Sequence, residues 1–128
     1  MMCEKNNAKL NVIPINDDGE LDLDEFKKIV SKKTKIVFLN HVSNALGIIN
    51  PIEEIIKLSH ENGAYVLIDG AQSAAHFKID LQHLDVDFFT ASAHKLCGPT
   101  GIGFLYGKKE LLNKIEPLMG GGEMISDV

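Results

Sequence analysis

The 128-residue sequence predicts an α/β domain built on a mostly parallel sheet. Two short apolar runs, residues 35–42 and 65–68, have the composition of strands buried in a parallel sheet. Residues 51–62 lie between them and have helical periodicity, which is the order of a βαβ unit. Polar stretches follow each run, and in such sheets ligands bind at the carboxyl ends of the strands.

The N-terminal part of the chain predicts one strand and one helix. Residues 9–15 are rich in β-branched side chains and end at a polar turn, residues 16–19, so they predict a strand. Residues 21–33 predict a helix that Asp22 or Asp24 caps at its start, with lysines in its last turn. Its apolar side chains form one stripe at helical spacing: Leu23, Phe26, Ile29 and Val30.

The helix at residues 51–62 has typical signals at both ends. Pro51 suits its first turn and Gly63 its C-cap, and one side of it is formed by Ile52, Ile55, Ile56 and Ser59. Farther along the chain we expect strands at 86–89 and 102–106 and a short helix at 108–115.

The composition is that of an ordinary globular protein, with 45% hydrophobic and 24% charged residues. A net charge of -5 argues against a surface for nucleic acid or anionic membranes. Neither a run long enough to span a bilayer nor an N-terminal signal region is visible, and Cys3 and Cys97 cannot form a disulfide framework. We therefore expect a cytoplasmic protein, or an organellar one if the source is eukaryotic.

Lys95 is the first candidate for chemistry. It lies in a tight, glycine-rich stretch, residues 90–103, where small neighbours leave room for a ligand: Ser92, Ala93 and Gly98. A lysine held in a cleft can act as a nucleophile and form an imine with a carbonyl. The alternative is an exposed loop lysine, which is what most lysines are.

Asp69 and Asn44 also follow predicted strands, so we expect them at the same edge of the sheet as Lys95. A carboxylate at Asp69 could keep a ring nitrogen protonated, as the electron sink of pyridoxal phosphate requires, or it could simply cap a turn. Asn44 could hold a ligand oxygen or cap its own loop. Three more side chains could bind ligand oxygens or be plain turn residues: Gln72, Ser92 and His94.

Other classes of site find little support. The five histidines show no zinc-ligand spacing, and the sequence has neither a G-x-S-x-G elbow nor a Walker loop. The glycines of GPTGIG, residues 98–103, are wrongly spaced for a dinucleotide-binding loop and precede a strand. For the glycine run at 120–122 we favour a hinge over a phosphate contact.

Several stretches together resemble the class V aminotransferase family of pyridoxal phosphate enzymes, and within it the SUF-type cysteine desulfurases. They are VLIDGAQS (66–73), SAHKLCGPTGIGFLYGKKELL (92–112) and GGGEM (120–124), with HVSNALGIINPIEEI (41–55) similar to the family's upstream segment. The resemblance implies the three-layer large domain of fold-type I pyridoxal phosphate transferases, in incomplete form. Residues 1–128 would be its central part, without the N-terminal segment and the C-terminal small domain.

The resemblance also implies roles for individual residues. Lys95 resembles the catalytic lysine that holds pyridoxal 5'-phosphate, and Asp69 the aspartate that pairs with the pyridine nitrogen. The other implied cofactor contacts are Asn44 and Gln72 at the phenolic oxygen, Ala71 at the ring face, and Ser92 and His94 at the phosphate. The glycine run is similar to a loop that approaches the partner subunit's cofactor in dimers. No metal is implied.

The implied reaction converts L-cysteine to L-alanine and leaves persulfide sulfur on an enzyme cysteine. A SUF acceptor protein would receive that sulfur for iron–sulfur cluster assembly, and the full-length protein would be a homodimer. Cys97 stands where the family usually has an aromatic residue, and it is not expected to be the persulfide cysteine. That cysteine and the substrate-binding arginines would lie outside this chain, so we expect it to be inactive alone. Three alternatives remain: a selenocysteine lyase, another class V enzyme, or a remnant that binds no cofactor.

Overall fold

In a computed structural model, which describes residues 2–116, four strands form a single sheet in the order β1-β2-β3-β4. The first three strands run parallel and the last is antiparallel to its neighbour. The strands are β1 (Ile36–Asn40), β2 (Tyr65–Asp69), β3 (Phe88–Ser92) and β4 (Gly103–Gly107). This arrangement confirms the predicted α/β class with a mostly parallel sheet. The glycine run at 120–122 lies outside the described residues.

In the described part of the chain, four α-helices accompany the sheet: α1 (Met2–Lys5), α2 (Leu23–Ile29), α3 (Ile52–Glu61) and α4 (Lys109–Leu112). The predicted cap of α2 is confirmed, because the backbone N–H of Glu25 donates to Asp22 Oδ1 at 2.9 Å. The helix ends earlier than the predicted residue 33, since Val30 already has an extended backbone. Within residues 2–116, none of the helices has the length and apolarity needed to cross a membrane.

The hydrophobic core lies between α3 and one face of the sheet. The predicted inner side of α3 is buried in full: Ile52, Ile55, Ile56 and Ser59. It packs in one cluster with inward-facing strand residues, among them Leu39, Val66, Ile68 and Phe89. Phe26 joins this cluster from α2. The alternating burial of each strand follows from the two-residue period of side chains in a sheet.

The opposite face of the sheet is largely open in the described part of the chain. Phe38 is 64% exposed and Tyr65 47% exposed, and Ile36 and Leu105 are exposed as well. The sequence predicted that residues 35–42 would be covered on both faces, and this is wrong for residues 2–116. Only the alternate residues Val37 and Leu39 are buried there.

The predicted strand at residues 9–15 is also wrong. Only Ile15 pairs, in an isolated antiparallel bridge to Leu21 across the turn at 16–19. The turn itself forms, with Gly19 at φ +81° and the side chain of Asn16 accepting from two backbone N–H groups. Leu10 and its neighbours are exposed, so the β-branched composition of this segment has no sheet to pack against.

Candidate cofactor site

The carboxyl ends of β1, β2 and β3 meet at one edge of the sheet because these strands are parallel. Asp69 is the last residue of β2, and Asn44 follows β1 in the turn that leaves it. Lys95 follows β3 by three residues. The structure therefore places the three main candidates at the edge where parallel sheets bind ligands.

Asp69 is half-buried, and one of its carboxylate oxygens is held in place by the backbone. The N–H of Ala71 donates to Asp69 Oδ1 at 2.8 Å. The other oxygen, Oδ2, has no hydrogen-bond partner within residues 2–116. The carboxylate is thus oriented locally but retains an oxygen that can accept from a ligand.

The turn after β2 depends on Gly70. Its N–H donates to Thr90 O at 2.8 Å, which ties it to β3, and a Cβ at this position would overlap the ring of Phe89. The chain then makes irregular turns rather than a regular helix: Ala74 N donates to Gly70 O, and the fully buried Ser73 donates its hydroxyl to Gly70 O. Two predicted cofactor residues, Ala71 and Gln72, are half-buried in this turn.

Lys95 lies in a single turn of 3-10 helix, Ala93–Leu96, that begins directly after β3. Two backbone hydrogen bonds close this loop, from Ala93 N to Ile102 O at 3.0 Å and from Gly98 N to Ala93 O at 2.8 Å. The Lys95 side chain is half-buried. The loop is therefore fixed by its backbone and carries the lysine at a set position beside the strand end.

Strand β3 extends into the glycine-rich stretch that contains Lys95, residues 90–103. The sequence did not predict this extension. The predicted strand ended at residue 89, whereas β3 continues to Ser92 because Ala91 and Ser92 pair with Phe104 and Gly103 of β4. Gly103 was a signal that could have shown this, since a Cβ there would lie 2.7 Å from Ala91 O. Ser92 therefore ends a strand and is half-buried, while His94 is exposed.

Most polar side chains at this edge make no hydrogen bond or ion pair within the described part of the chain. No hydrogen bond or ion pair among residues 2–116 engages the side chains of Asn44, Gln72, Ser92, His94 or Lys95. The set combines an amine, a partly free carboxylate and several neutral donors. An aldehyde, a basic ring nitrogen and oxygen acceptors are what such groups bind, so the residues present fit pyridoxal phosphate.

Cys97 also lies at this edge and is exposed, two residues after Lys95. Its backbone is in the left-handed region at φ +61°, where it ends the 3-10 turn. Within residues 2–116, no group of three or more His, Cys, Asp or Glu side chains is arranged to hold a metal ion.

His41 lies just beyond β1 and is buried enough to lower its pKa, because burial disfavours the charged imidazolium. Its ring packs against Phe77, with the centroids 5.6 Å apart. The Nδ1 atom is buried and has no hydrogen-bond partner among residues 2–116. His41 borders a small cleft of about 170 Å³, together with residues of α3 and of the 78–84 segment.

A second cleft, of about 380 Å³, lies between α3 and residues 83–85. None of the predicted cofactor residues borders either cleft. The candidate site is instead a surface at the strand ends, and any further walls around a cofactor have to come from outside residues 2–116.

Two further polar residues lie at this edge that the sequence analysis did not single out as candidates. Asn40 ends β1 in register with Asp69, and the buried Asn50 donates to it. A βαβ register would have placed Asn40 next to Asp69. Nothing in the sequence pattern marks Asn50, because its partner is ten residues away across a loop.

The sequence profile of the family described as "Aminotransferase class-V" matches residues 1–128. A probable cysteine desulfurase of Synechocystis is 49% identical over 128 residues, which are 100% of this chain and 30% of that protein. The chain thus spans about a third of the length of the curated relatives that it matches.

Solved structures give the same result. The cysteine desulfurase CsdA of Escherichia coli superposes with a TM-score of 0.93 at 40% identity, over 98% of this chain and 32% of that chain. SspA, solved in complex with cysteine, superposes with a TM-score of 0.85 at 28% identity, over 95% of this chain and 35% of that chain.

Proposed function

Because this chain belongs to the class V aminotransferase family, we propose that it forms the cofactor-binding part of a pyridoxal phosphate-dependent cysteine desulfurase of the SUF type. The proposed reaction converts L-cysteine to L-alanine and leaves the sulfur as a persulfide on an enzyme cysteine. The sulfur would then pass to an acceptor protein for iron–sulfur cluster assembly. One observation carries the proposal: Lys95 and Asp69 lie at one sheet edge among polar side chains that the described residues leave unpaired.

Pyridoxal phosphate, when bound, supplies an electron sink for the carbanion formed next to the substrate amine. Lys95 would hold the cofactor through its Nζ and, once displaced by substrate, would carry protons at that atom. Asp69 would accept from the protonated ring nitrogen through the oxygen that Ala71 leaves free. The small side chain of Ala71 would leave room for the ring face.

The remaining cofactor contacts would come from neutral donors. Ser92 and His94, on either side of the start of the lysine loop, would hold the phosphate. Asn44 and Gln72 would bind the phenolic oxygen from the turns after β1 and β2. Each of these side chains is unpaired within residues 2–116, so binding would not require an existing hydrogen bond to break.

Substrate binding calls for a group that this chain lacks, and we propose that the cysteine that accepts the sulfur also lies outside residues 1–128. All 13 basic residues of the sequence are lysines, so it has no guanidinium to hold the cysteine carboxylate in a bidentate pair. Cys97 ends the turn that carries Lys95, and we do not expect it to be the persulfide cysteine. We propose that residues 1–128 alone turn over little or no L-cysteine, and that the whole enzyme acts as a homodimer.

The first test adds pyridoxal phosphate to the purified chain and follows the visible absorbance of the lysine-bound cofactor. Wild type and Lys57→Ala, an exposed lysine on α3, are expected to develop this absorbance. Lys95→Ala is expected to show none. A well-folded wild-type chain without absorbance, or a Lys95→Ala variant that retains it, contradicts the proposal.

The second test concerns the reaction. Residues 1–128 replace the matching segment of the Synechocystis relative, which aligns without loss of either end of this chain. The chimera is expected to form alanine from L-cysteine, and Lys95→Ala in the chimera is expected to abolish it. Faster turnover of L-selenocysteine with little of L-cysteine would instead support a selenocysteine lyase.

A further inference from the structure

The loop between β1 and α3, residues 41–50, is closed at its base by backbone pairing. The N–H of Asn50 donates to His41 O at 2.8 Å, which joins the last residue of the loop to the first. One step farther in, Val42 and Ile49 form an antiparallel bridge. The two ends of the loop therefore lie side by side, and the loop leaves and returns to the sheet edge as a hairpin.

A tight turn closes the tip of the same loop. The N–H of Ser43 donates to Ile48 O, and the N–H of Gly47 donates to Ser43 O, each at 2.9 Å. The hydroxyl oxygen of Ser43 also accepts from Leu46 N at 3.1 Å. Asn44 lies within this turn and is exposed, and its carboxamide makes no hydrogen bond within residues 2–116. The turn thus fixes the backbone of Asn44 and leaves its side chain available to a ligand.

The side chain of Asn50 ties the base of the loop to the end of β1. Asn50 is 7% exposed, and its Nδ2 donates to Asn40 O at 2.8 Å and to Asn40 Oδ1 at 3.2 Å. Its backbone oxygen accepts from Ile52 N, the first residue of α3, at 2.9 Å. Because these bonds are largely shielded from water, removal of the carboxamide would leave their partners poorly compensated. Asn50 therefore connects the strand, the loop and the helix.

The base of the loop is also joined to the strand that carries Asp69. Asn40 pairs in register with Asp69, and the N–H of His41 donates to Asp69 O at 2.9 Å. The base of residues 41–50 and the backbone of Asp69 consequently form one hydrogen-bonded unit. A side chain held at the tip of this loop keeps a set position relative to the strand end.

We propose that Asn50 is a positioning residue for Asn44. By holding the ends of residues 41–50 together, it keeps the carboxamide of Asn44 in place to bind an oxygen of the cofactor. Asn50 acts through the loop and does not touch the cofactor itself. A loop that is ordered in advance loses less conformational entropy on binding. The inference rests on the proposed function, because Asn44 needs a fixed position only if a cofactor meets it.

The first test needs no cofactor and follows amide hydrogen exchange in the full 128-residue chain. Asn50→Ala is expected to speed exchange about three- to tenfold at the hydrogen-bonded amides of the turn, those of residues 43, 46 and 47. Asn62→Ala is the matched control, since the Asn62 carboxamide donates to Leu58 O at 3.0 Å at the other end of α3. It is expected to leave these amides unchanged. Equal exchange in Asn50→Ala and wild type would overturn the claim that Asn50 orders the loop.

The second test measures the affinity for pyridoxal phosphate by absorbance titration. Asn44→Ala and Asn50→Ala are each expected to weaken it about three- to tenfold and to shift the absorbance maximum of the bound cofactor in the same direction. The double variant is expected to show no further loss, because the two residues act as a unit. Asn62→Ala is expected to bind as wild type does.

Two outcomes of the titration would overturn the inference: additive losses in the double variant, or wild-type affinity in Asn50→Ala. In either case, cofactor binding by wild type would leave the proposed function intact. A wild-type chain that does not bind the cofactor overturns the proposed function instead, and the exchange comparison still decides whether Asn50 orders the loop.

Ser43 supplies a second pair of variants should Asn50→Ala not fold. Ser43→Ala removes the oxygen that accepts from Leu46 N, at a half-buried position outside the core. It is expected to speed exchange at the amide of Leu46 and to weaken cofactor affinity about two- to fivefold. Ser43→Thr keeps a hydroxyl and is expected to match wild type in both measurements. Wild-type affinity in Ser43→Ala would overturn the claim that the ordered loop positions Asn44.

Discussion

Gly70 links the geometry of Asp69 to the hydrophobic core. It directly follows Asp69, it is buried, and any Cβ at this position would overlap the ring of Phe89 on β3. Because Phe89 belongs to the core cluster, its ring has little freedom to move aside. The position of the carboxylate thus depends on the absence of a side chain next to it.

Gly70→Ala is expected to lower the free energy of unfolding by about 1–3 kcal/mol through overpacking, and to weaken pyridoxal phosphate binding by displacing Asp69. Gly63→Ala is the matched control. At φ +76° with no heavy atom within 4 Å of its Cβ, it is expected to cost about 1–2 kcal/mol of backbone strain without changing cofactor affinity. Urea denaturation and absorbance titration measure both quantities, and equal cofactor affinities in the two variants would contradict the prediction.

His41 makes the stability of the chain depend on pH. Burial lowers its pKa below the ordinary value of 6.5, so the unfolded chain takes up this proton at a higher pH than the folded chain does. The unfolding free energy is therefore expected to fall as the pH drops through about 6.5, until the folded pKa has been passed. His41→Phe keeps an aromatic ring against Phe77 and removes the unpartnered nitrogen.

Urea denaturation at pH 7.5 and pH 5 tests this point. Other groups titrate over the same range, so the informative quantity is the difference between wild type and His41→Phe in stability lost on acidification. The variant is expected to lose less. An equal loss in the two proteins would show that His41 does not carry the effect.

At the scale of elements, Asp87 joins one helix and two strands at the edge opposite the candidate site. Its side chain is 6% exposed, and its Oδ2 accepts from Val66 N of β2 and contacts His60 Nε2 of α3, each at 2.8 Å. Lys108, which follows β4, reaches Asp87 Oδ1 at 3.1 Å. Burial opposes the charge of Lys108, but its hydrogen bonds to Asp85 and Asp87 offset this, so its pKa is raised.

Asp87→Asn is expected to reduce the free energy of unfolding by about 2–4 kcal/mol, since it leaves the half-buried side chains of His60 and Lys108 without the buried carboxylate that both contact. Asp85→Asn is the control. It removes a carboxylate that also binds Lys108 but is 69% exposed, and it is expected to cost less than about 1 kcal/mol. Urea denaturation at pH 7 measures the unfolding free energies of both variants. Similar losses of stability would show that the burial of the Asp87 carboxylate does not determine the effect.

The order of helices and strands could be predicted from the sequence more accurately than the residues at which they begin and end. The inner side of α3 and the cap of α2 follow from local rules, and both predictions are confirmed. The strand predicted at residues 9–15 is wrong because strand composition cannot reveal whether a partner exists. The extension of β3 to Ser92 was missed because it depends on pairing with β4.

Some residues of the candidate site could likewise be predicted from the sequence, and others could not. Asp69, Asn44 and Lys95 could be placed at one edge from the order of strands and turns alone. The contact between Asn40 and Asn50 could not, because it is a hydrogen bond that crosses the loop between β1 and α3. The roles of all these residues toward a cofactor remain predictions.

At the scale of the whole molecule, the sheet buries one face and exposes the other within residues 2–116. The exposed face carries a row of large apolar side chains that runs across neighbouring strands, from Phe38 to Leu67. Parallel sheets are normally covered on both faces, and exposed apolar patches promote association. Residues 1–128 studied alone are therefore expected to associate through this face.

Phe38→Glu tests this expectation, because Phe38 is 64% exposed at the centre of β1 and a charge there opposes burial against another apolar surface. Leu10→Glu is the control, since Leu10 is 72% exposed but lies outside the sheet. Sedimentation velocity over a range of concentrations is expected to show association in wild type and Leu10→Glu and a clear reduction in Phe38→Glu. A monomeric wild type, or equal association in both variants, would contradict a role for this face.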